Sequence, residues 1–249
     1  KKTEKNWLSN VARVYELAKK NGGEEWCSHI KSEYSLKEYT KYIPLLKVFK
    51  KRDKILDWGA QFGHISLLLK ELDYEAVPYI IDNNHISTKI CLKDQFPDQY
   101  VVGNSSWELP FDSKSFNGVI SSGVFEHVNE NNGDPIKSLN EIYRILKPGG
   151  YFLTWKLPNC TGLSEIKSDI LKKWSHETRY TIRGYKRLLN SIGFQVEIIG
   201  VEGLLPMPIN KFLRRNLFLR WIEPLFNYIV TIHPFSIFAN DIYCIAKKI

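Results

Sequence analysis

Two histidines stand where a proton-accepting side chain could serve catalysis. His127 lies within residues 121–128, directly after an apolar run, and His176 opens residues 176–181, which precede a helical pattern. Imidazole is the side chain best suited to accept a proton near neutral pH. We therefore predict His127 as a catalytic residue, in the role of general base. The alternatives are a helix-capping or core histidine at 127 and a solvated loop at 176.

A glycine turn is the second feature with chemical meaning. Gly59 and Gly63 follow the apolar run that ends at Asp57, and a helical pattern begins at once after them. Glycines in such a turn let backbone N–H groups face a ligand at the helix N-terminus. Asp82 ends the next apolar run, about 20 residues later, where a carboxylate can accept hydrogen bonds from both ribose hydroxyls. This combination predicts an adenosine-containing cofactor, with a purely structural turn as the alternative for the glycines alone.

The spacing of these glycines also separates two classes of enzyme. Gly59 and Gly63 form G-x-x-x-G, whereas the dinucleotide fingerprint is G-x-G-x-x-G. A nicotinamide-dependent oxidoreductase is therefore disfavoured.

The elements that must position these residues alternate between strands and helices. Short apolar runs predict strands over residues 54–57, 76–82, 100–102, 118–121, 151–155, 194–199 and 241–246. Helical spacing predicts helices over residues 7–18, 62–72, 85–96, 135–146 and 182–192. This alternation predicts an α/β fold, a Rossmann-like doubly wound seven-stranded sheet with ligands at the carboxyl ends of its strands.

Several helix ends carry local signals. Ser35 and Glu38 fit a capping box that opens a second N-terminal helix, and Asp134 precedes a proline at a helix start. Thr181 is placed to cap the helix that Gly193 ends.

Four motifs, in this order, resemble those of the class I S-adenosylmethionine-dependent methyltransferases of the small-molecule type. They occupy residues 55–63, 79–82, 109–128 and 141–150. The resemblance runs from about residue 54 to residue 194, and the strand at 241–246 completes it. It implies S-adenosyl-L-methionine as the cofactor and methyl transfer as the activity. Residues 176–181 also resemble the segment that lies on the acceptor side of the pocket in these methyltransferases, which implies His176 as a second catalytic residue, as base or in contact with the methyl acceptor.

Carried over residue by residue, the resemblance implies a cofactor site. Asp57 would brace the glycine turn or bind the amino group of the cofactor. Asp82 would bind the ribose, Asn83 would flank the adenine, and Asn104, or Ser105 in its place, would meet the adenine edge. The residues implied for the methionine part of the cofactor and the region of its sulfonium are Gly59, Ala60, Gln61, Gly63, Ser121 and Gly123.

Two departures from the family pattern support a rival hypothesis. Gln61 replaces the usual middle glycine, and the aspartate that contacts adenine in the family is absent near Asn104. A methyltransferase-like cofactor-binding or scaffold protein without catalytic turnover is therefore the alternative to an enzyme.

The distribution of charge along the chain indicates which classes of binding partner are favoured. The net charge of +8 divides into +7 over residues 1–54, −3 over 55–202 and +4 over 203–249, so the predicted core has no basic groove. Nucleic acid is disfavoured, and a small-molecule or glycan acceptor, anionic or lipid-linked, is favoured.

The four cysteines are scattered without Cys-x-x-Cys or Cys/His ligand spacing, so we expect reduced thiols, no metal site and a cytoplasmic chain.

The predicted organisation is a single methyltransferase domain with additions. Residues 1–53 would form an N-terminal helical cap, 54–202 the cofactor-binding core, 203–240 a helical insertion and 241–249 the last strand. The basic amphipathic segment 209–222 would pack on the core, cover an apolar acceptor or touch a membrane surface. Peripheral membrane contact is therefore an expectation for this segment.

Overall fold

The structure is a computed structural model that describes residues 2–81, 86–173, 175–205, 212, 216, 222–232 and 235–249. The chain separates into two compact units. The first unit comprises Lys1–Ser121 and Arg144–Tyr151, and the second comprises Ser122–Tyr143 and Phe152–Ile249.

The first part of the chain alternates as predicted. Its helices are α1 (Lys2–Lys20), α2 (Glu33–Thr40), α3 (His64–Glu71) and α4 (Ile86–Gln95), with 3₁₀ turns at Ser28–Ile30 and Ile43–Val48. Its strands are β1 (Lys54–Trp58), β2 (Glu75–Ile81), β3 (Val101–Gly103) and β4 (Phe116–Ser122). Strand β1 pairs in parallel with both β2 and β4, and β2 pairs in parallel with β3.

The C-terminal part of the chain contains the remaining elements. They are α5 (Pro135–Ile145), β5 (Leu146–Pro158), α6 (Leu163–Ile170), α7 (Ile182–Ile192), β6 (Phe194–Glu202), α8 (Ile222–Ile229) and β7 (Asp241–Lys248). Short 3₁₀ turns lie at Phe125–His127, Asn129–Asn131 and Phe235–Phe238. Helix α6 has no counterpart among the predicted elements.

The described strands form one seven-stranded sheet in the order β3-β2-β1-β4-β5-β7-β6. The last two strands are antiparallel, with Phe194 opposite Lys248 and Glu202 opposite Asp241. The predicted α/β fold with seven strands is thus confirmed, and the long connection between β6 and β7 does not prevent their pairing.

Helix α1 packs against α3, the helix that follows the glycine turn. Its apolar face is fully buried at Trp7, Val11 and Val14, and the helix packs against α3 and α4. The Trp7 indole N–H donates a hydrogen bond of 2.7 Å to the carbonyl oxygen of His64, the first residue of α3. The N-terminal helices therefore fix the helix that begins directly after Gly63.

The sequence predicted the N-terminal capping residue correctly for two of three helices. The Asp134 carboxylate accepts hydrogen bonds from the backbone N–H groups of Ile136 and Lys137, and Thr181 accepts one from Gly184. The predicted capping box at Ser35 was wrong. Helix α2 begins at Glu33, and the hydroxyl of the extended residue Ser32 accepts the backbone N–H of Ser35. A serine three positions earlier thus caps this helix.

The predicted insertion is described only in part. Most of the basic segment 209–222 lies outside the described residues. Helix α8 and the 3₁₀ turn Phe235–Phe238 are the described elements of residues 203–240. Among the described helices, none combines the length and apolar composition needed to cross a bilayer.

Gly118 in β4 lies close to the Phe49 ring, so a substitution there measures how tightly the first unit is packed. An added Cβ at Gly118 would lie 2.3 Å from the Phe49 ring, which contacts Tyr74 and Tyr151 edge-on and is therefore held in place. We expect Gly118→Ala to lower the free energy of unfolding by about 1–3 kcal/mol through overpacking. Urea denaturation would measure the change. Adding Phe49→Leu should recover part of the loss, whereas an unchanged midpoint for Gly118→Ala would show that the ring yields freely.

Candidate active site

The glycine turn between β1 and α3 has an unusual backbone. Three of its residues have left-handed φ angles: Gly59 (+85°), Gln61 (+45°) and Gly63 (+80°). The backbone N–H groups of Gly59 and Ala60 both donate 3.0 Å hydrogen bonds to the carbonyl oxygen of Tyr79 in β2, and the N–H of Gly63 donates to the carbonyl oxygen of Ala60. The expectation that these N–H groups face a ligand was therefore wrong for these three residues. Gln61 is exposed, so the residue that departs from the family pattern does not fill the interior of the first unit.

Asp57 joins the two elements that flank this turn. Its carboxylate is 2% exposed and accepts a 2.6 Å hydrogen bond from the Ser66 hydroxyl in the first turn of α3. Burial raises the pKa of Asp57 to about 6, and the hydrogen bond from Ser66 opposes that rise. The contact provides the bracing that one of its two predicted roles requires.

Ser121 lies at the carboxyl edge of the sheet beside the same turn. Asp57 of β1 pairs with Ile120 of β4, which puts Ser121 level with the residue that precedes Gly59. The Ser121 side chain is 1% exposed, and its hydroxyl has no hydrogen-bond partner among the described residues. A buried hydroxyl is stabilised by a partner. The Ser121 hydroxyl is thus a buried polar group beside the glycine turn that can bond a ligand.

The predicted adenosine contacts are described unevenly. Asp82 and Asn83 lie outside the described residues, directly after the last residue of β2. Asn104 is exposed just after β3. The Ser105 hydroxyl accepts the backbone N–H of Glu108, and its carbonyl oxygen accepts the Tyr79 hydroxyl at 2.6 Å. The hydroxyl of Ser105 thus shapes the turn after β3, and Asn104 is the freer of the two to contact a ligand edge.

The second unit brings the two predicted catalytic histidines together. His127 ends the 3₁₀ turn that follows β4, and His176 lies in the loop before α7. Their ring centroids are 5.3 Å apart. Their side chains are 33% and 21% exposed, so both rings can be reached from solvent. Gly123, also predicted for the site, precedes this turn with a φ of +62° and donates its N–H to the carbonyl oxygen of Trp155.

A carboxylate holds each histidine by the same ring nitrogen. Nδ1 of His127 lies 2.5 Å from Glu130, and Nδ1 of His176 lies 2.9 Å from Glu165. Partial burial acts to raise the pKa of Glu130, but the hydrogen bond and charge of His127 outweigh it and lower that pKa. A carboxylate at Nδ1 favours the neutral tautomer that carries its proton on Nδ1. The nitrogen that can accept a further proton is then Nε2. We call Glu126, His127, Glu130, Glu165 and His176 the histidine cluster.

Arg179 joins the loop that carries His176 to α6 through hydrogen bonds and ion pairs. Its guanidinium forms a bidentate pair with Asp169 at 2.6 and 2.8 Å, and its Nε lies 3.1 Å from Glu165. The same Nε donates to the carbonyl oxygen of His176. The hydrogen bond from Arg179 lowers the pKa of Asp169 to about 2. Arg179 is therefore a structural tie between α6 and this loop rather than an exposed loop residue.

Glu126 is the deeply buried member of the cluster. It is 2% exposed, one carboxyl oxygen lies 3.9 Å from Nε2 of His127, and the other has no hydrogen-bond partner among the described residues. Burial raises its pKa to about 8, and the charges of Asp241, Glu130 and Glu165 add to the rise.

The arrangement can do two kinds of chemistry. Two oriented imidazoles can accept a proton from a bound hydroxyl, or they can ligate a cation together with a carboxylate. Sequence reasoning missed Glu130 and Glu165. Glu130 could have been found three residues after His127, and Glu165 lies within α6, whose helical spacing at Leu163, Ile166 and Ile170 was not recognised.

Known proteins match this chain over its central part. The family model described as "Methyltransferase domain" matches residues 56–154. The ubiquinone/menaquinone biosynthesis C-methyltransferase UbiE of Rickettsia typhi is 32% identical over 124 residues, which are 49% of this chain and 43% of that protein. The chain thus spans less than half the length of this relative.

Solved structures share the fold. A SAM-dependent methyltransferase from Archaeoglobus fulgidus aligns with a TM-score of 0.61 at 22% identity, over 87% of this chain and 94% of its own. Phosphoethanolamine N-methyltransferase 2 of Haemonchus contortus, in complex with S-adenosyl-L-methionine, aligns with a TM-score of 0.56 at 18% identity, over 84% of this chain and 52% of its own. Residues 56–154 thus match the methyltransferase-domain family, and the described sheet has the fold of these S-adenosylmethionine-dependent methyltransferases.

Proposed function

We propose that this chain transfers a methyl group from S-adenosylmethionine to a hydroxyl oxygen of a small molecule or sugar. The observation that carries the hydroxyl acceptor is the pairing of His127 with His176, each oriented by a carboxylate. S-adenosylmethionine, when bound, supplies an electrophilic methyl group and leaves as S-adenosylhomocysteine.

The residues of the first unit hold the cofactor in this proposal. The turn formed by Gly59, Ala60, Gln61 and Gly63 would lie against its methionine part, with the buried Ser121 hydroxyl as a hydrogen-bonding partner. The role of Gly123 toward the methionine part stays a prediction, because Gly123 belongs to the second unit. Asp82, Asn83 and Asn104 keep their predicted roles toward the ribose and adenine.

The residues of the second unit activate the acceptor. A hydroxyl is a weak nucleophile until its proton is removed or its pKa is lowered. His127 and His176 present Nε2 for that task, because Glu130 and Glu165 occupy their Nδ1 positions. Their partial exposure gives an acceptor access to the rings.

Exposed apolar side chains favour a lipid-linked acceptor and contact with a membrane surface. They lie on and after α8, at Leu225, Tyr228, Ile232, Phe235 and Ile237, and each is at least 44% exposed. Contiguous exposed apolar patches mark protein or membrane interaction sites. In this proposal these side chains, which lie within 13 residues of the chain, form such a patch. The charge of +4 over residues 203–249 adds attraction for an anionic acceptor or membrane.

Cofactor binding is the first test, and the chain offers a matched pair of variants. Gly59→Val places a branched residue at a φ of +85° in the turn, and Gly149→Ala places a side chain at +75° in the same unit with nothing within 4 Å. Left-handed strain costs about 1–3 kcal/mol at such positions. We expect calorimetry to show saturable S-adenosylhomocysteine binding by the wild-type chain and Gly149→Ala, and an affinity at least ten times lower for Gly59→Val.

The acceptor is tested with free and lipid-linked sugars, phenols and carbon acceptors, using labelled S-adenosylmethionine. Label on an oxygen of a lipid-linked substrate supports the full proposal. Label on carbon, the atom that the Rickettsia typhi C-methyltransferase is named for, would overturn the hydroxyl acceptor. Cofactor binding without turnover on any acceptor would favour the scaffold alternative, and absence of cofactor binding would refute the methyltransferase.

A further inference from the structure

Three potential ligands converge within the histidine cluster. Glu126, His127 and His176 each offer one donor atom, and these atoms all lie within 4.8 Å of one another. Donors bound to a common tetrahedral zinc ion at about 2.0–2.2 Å lie about 3.4 Å apart. Small side-chain rotations would therefore bring this set around one ion. Two histidines and one glutamate are among the donor sets of catalytic zinc, which keep a further position open for a substrate.

The carboxylates behind the histidines match those of metal sites. A histidine that binds a metal usually donates its other ring N–H to a carboxylate or a carbonyl, which fixes the tautomer and makes the ligand more basic. Here Glu130 takes Nδ1 of His127, and Glu165 takes Nδ1 of His176. Arg179 in turn holds Glu165 at 3.1 Å. Nε2 of His127 lies 3.9 Å from an oxygen of Glu126, so this ring nitrogen lies beside the buried carboxylate.

Glu126 is an independent observation that points to a ligand. Its side chain is 2% exposed, and one of its carboxyl oxygens has no hydrogen-bond partner among the described residues. A buried polar atom without a partner is costly. A divalent cation at the three donors would supply that partner.

We infer that Glu126, His127 and His176 bind one divalent transition-metal cation, with Zn²⁺ the best match to the donor set. The inference rests on the proposed function and deepens it, because it specifies how the acceptor hydroxyl is activated. Coordination of the hydroxyl oxygen to the cation lowers the hydroxyl pKa, and the proton passes to solvent. The two histidines then act as ligands rather than as free bases.

The direct test is metal binding by the full chain, measured without turnover. The protein is treated with EDTA, desalted and titrated with Zn²⁺ by calorimetry and with Co²⁺ by visible absorption. We expect one equivalent to bind, and Glu126→Gln, His127→Ala and His176→Ala each to weaken binding at least tenfold. Glu197→Gln, the same change at an exposed strand position of the second unit, should bind like the wild type. Circular dichroism checks that each variant is folded.

The two carboxylates that contact the histidine ligands, Glu130 and Glu165, provide a second measurement of metal affinity. Glu130→Gln and Glu165→Gln should each weaken binding by about 10–100-fold, as expected for partners that orient ligands. No saturable binding by the wild-type chain, or binding that survives all three ligand variants, overturns the inference. S-adenosylhomocysteine binding, measured separately, keeps the two failures apart, since the cofactor can bind when the metal does not.

Discussion

Replacing His127 by alanine should lower kcat by about 10²–10⁴-fold and leave the affinity for S-adenosylhomocysteine unchanged. The imidazole lies on the 3₁₀ turn after β4, 5.3 Å from the His176 ring and hydrogen-bonded to Glu130. Its loss removes the group that activates the acceptor hydroxyl, whether it accepts the proton or ligates a cation. The backbone turn at Gly59–Gly63 belongs to the first unit and is untouched.

His176→Ala should cost about as much as His127→Ala, because the two rings serve one step. Residues that act as a unit give non-additive losses, so the double variant should lose little more than either single one. Steady-state kinetics on the acceptor found in the panel would measure all three. Additive losses would instead mean that the histidines act in separate steps.

Asn129→Ala serves as the matched structural control. The Asn129 amide donates a 3.0 Å hydrogen bond to the Thr178 hydroxyl and so joins the segments that carry the two histidines. This contact contains neither a base nor a ligand of the proposed site. If Asn129→Ala lowered kcat as far as His127→Ala does, the effect would be one of loop positioning. Full activity in both histidine variants would refute the catalytic assignment.

The parts of the fold that were predictable depend on local signals. The strand before Gly59, the helix after Gly63 and the caps at Asp134 and Thr181 are each encoded within a few neighbouring residues, and the structure has them. The start of α2 was misplaced because Ser32 and Ser35 are both plausible caps, and only the backbone conformation distinguishes them.

The candidate site was predictable only one residue at a time. Both histidines could be chosen for their chemistry and their place after predicted strands or before a helix. Their proximity and the ties to Glu165 and Arg179 come from α6 and the loop after it. Leu163, Ile166 and Ile170 have helical spacing, but the run is only eight residues long and was not predicted as a helix. Cysteine spacing argued against a metal site, but it says nothing about donors that approach from separate segments.

Asp57→Asn should stabilise the chain at pH 8 by up to about 3 kcal/mol and have little effect at pH 4, given 1.36 kcal/mol per pKa unit. The pKa of Asp57 is raised from 3.8 to about 6 by burial, against the opposing hydrogen bond from Ser66. Below pH 3.8 the carboxyl is protonated in both folded and unfolded chains, so ionisation costs nothing. As pH rises from about 4 to 6, the unfolded chain ionises first and stability falls. Above pH 6 the folded chain carries the full cost of a buried charge, which asparagine avoids.

Urea denaturation at about pH 4.5 and pH 8 would measure this difference, with Asp98→Asn as the control that removes a charge from an exposed position. Equal effects of Asp57→Asn at both pH values would contradict the raised pKa. The same variant separates the two predicted roles of Asp57. Asparagine keeps an oxygen for the Ser66 hydroxyl, so bracing of the turn should survive, whereas a charged partner for the cofactor amino group is lost. A more stable chain that binds S-adenosylhomocysteine more weakly would therefore mean that Asp57 is retained for the cofactor at a cost in stability.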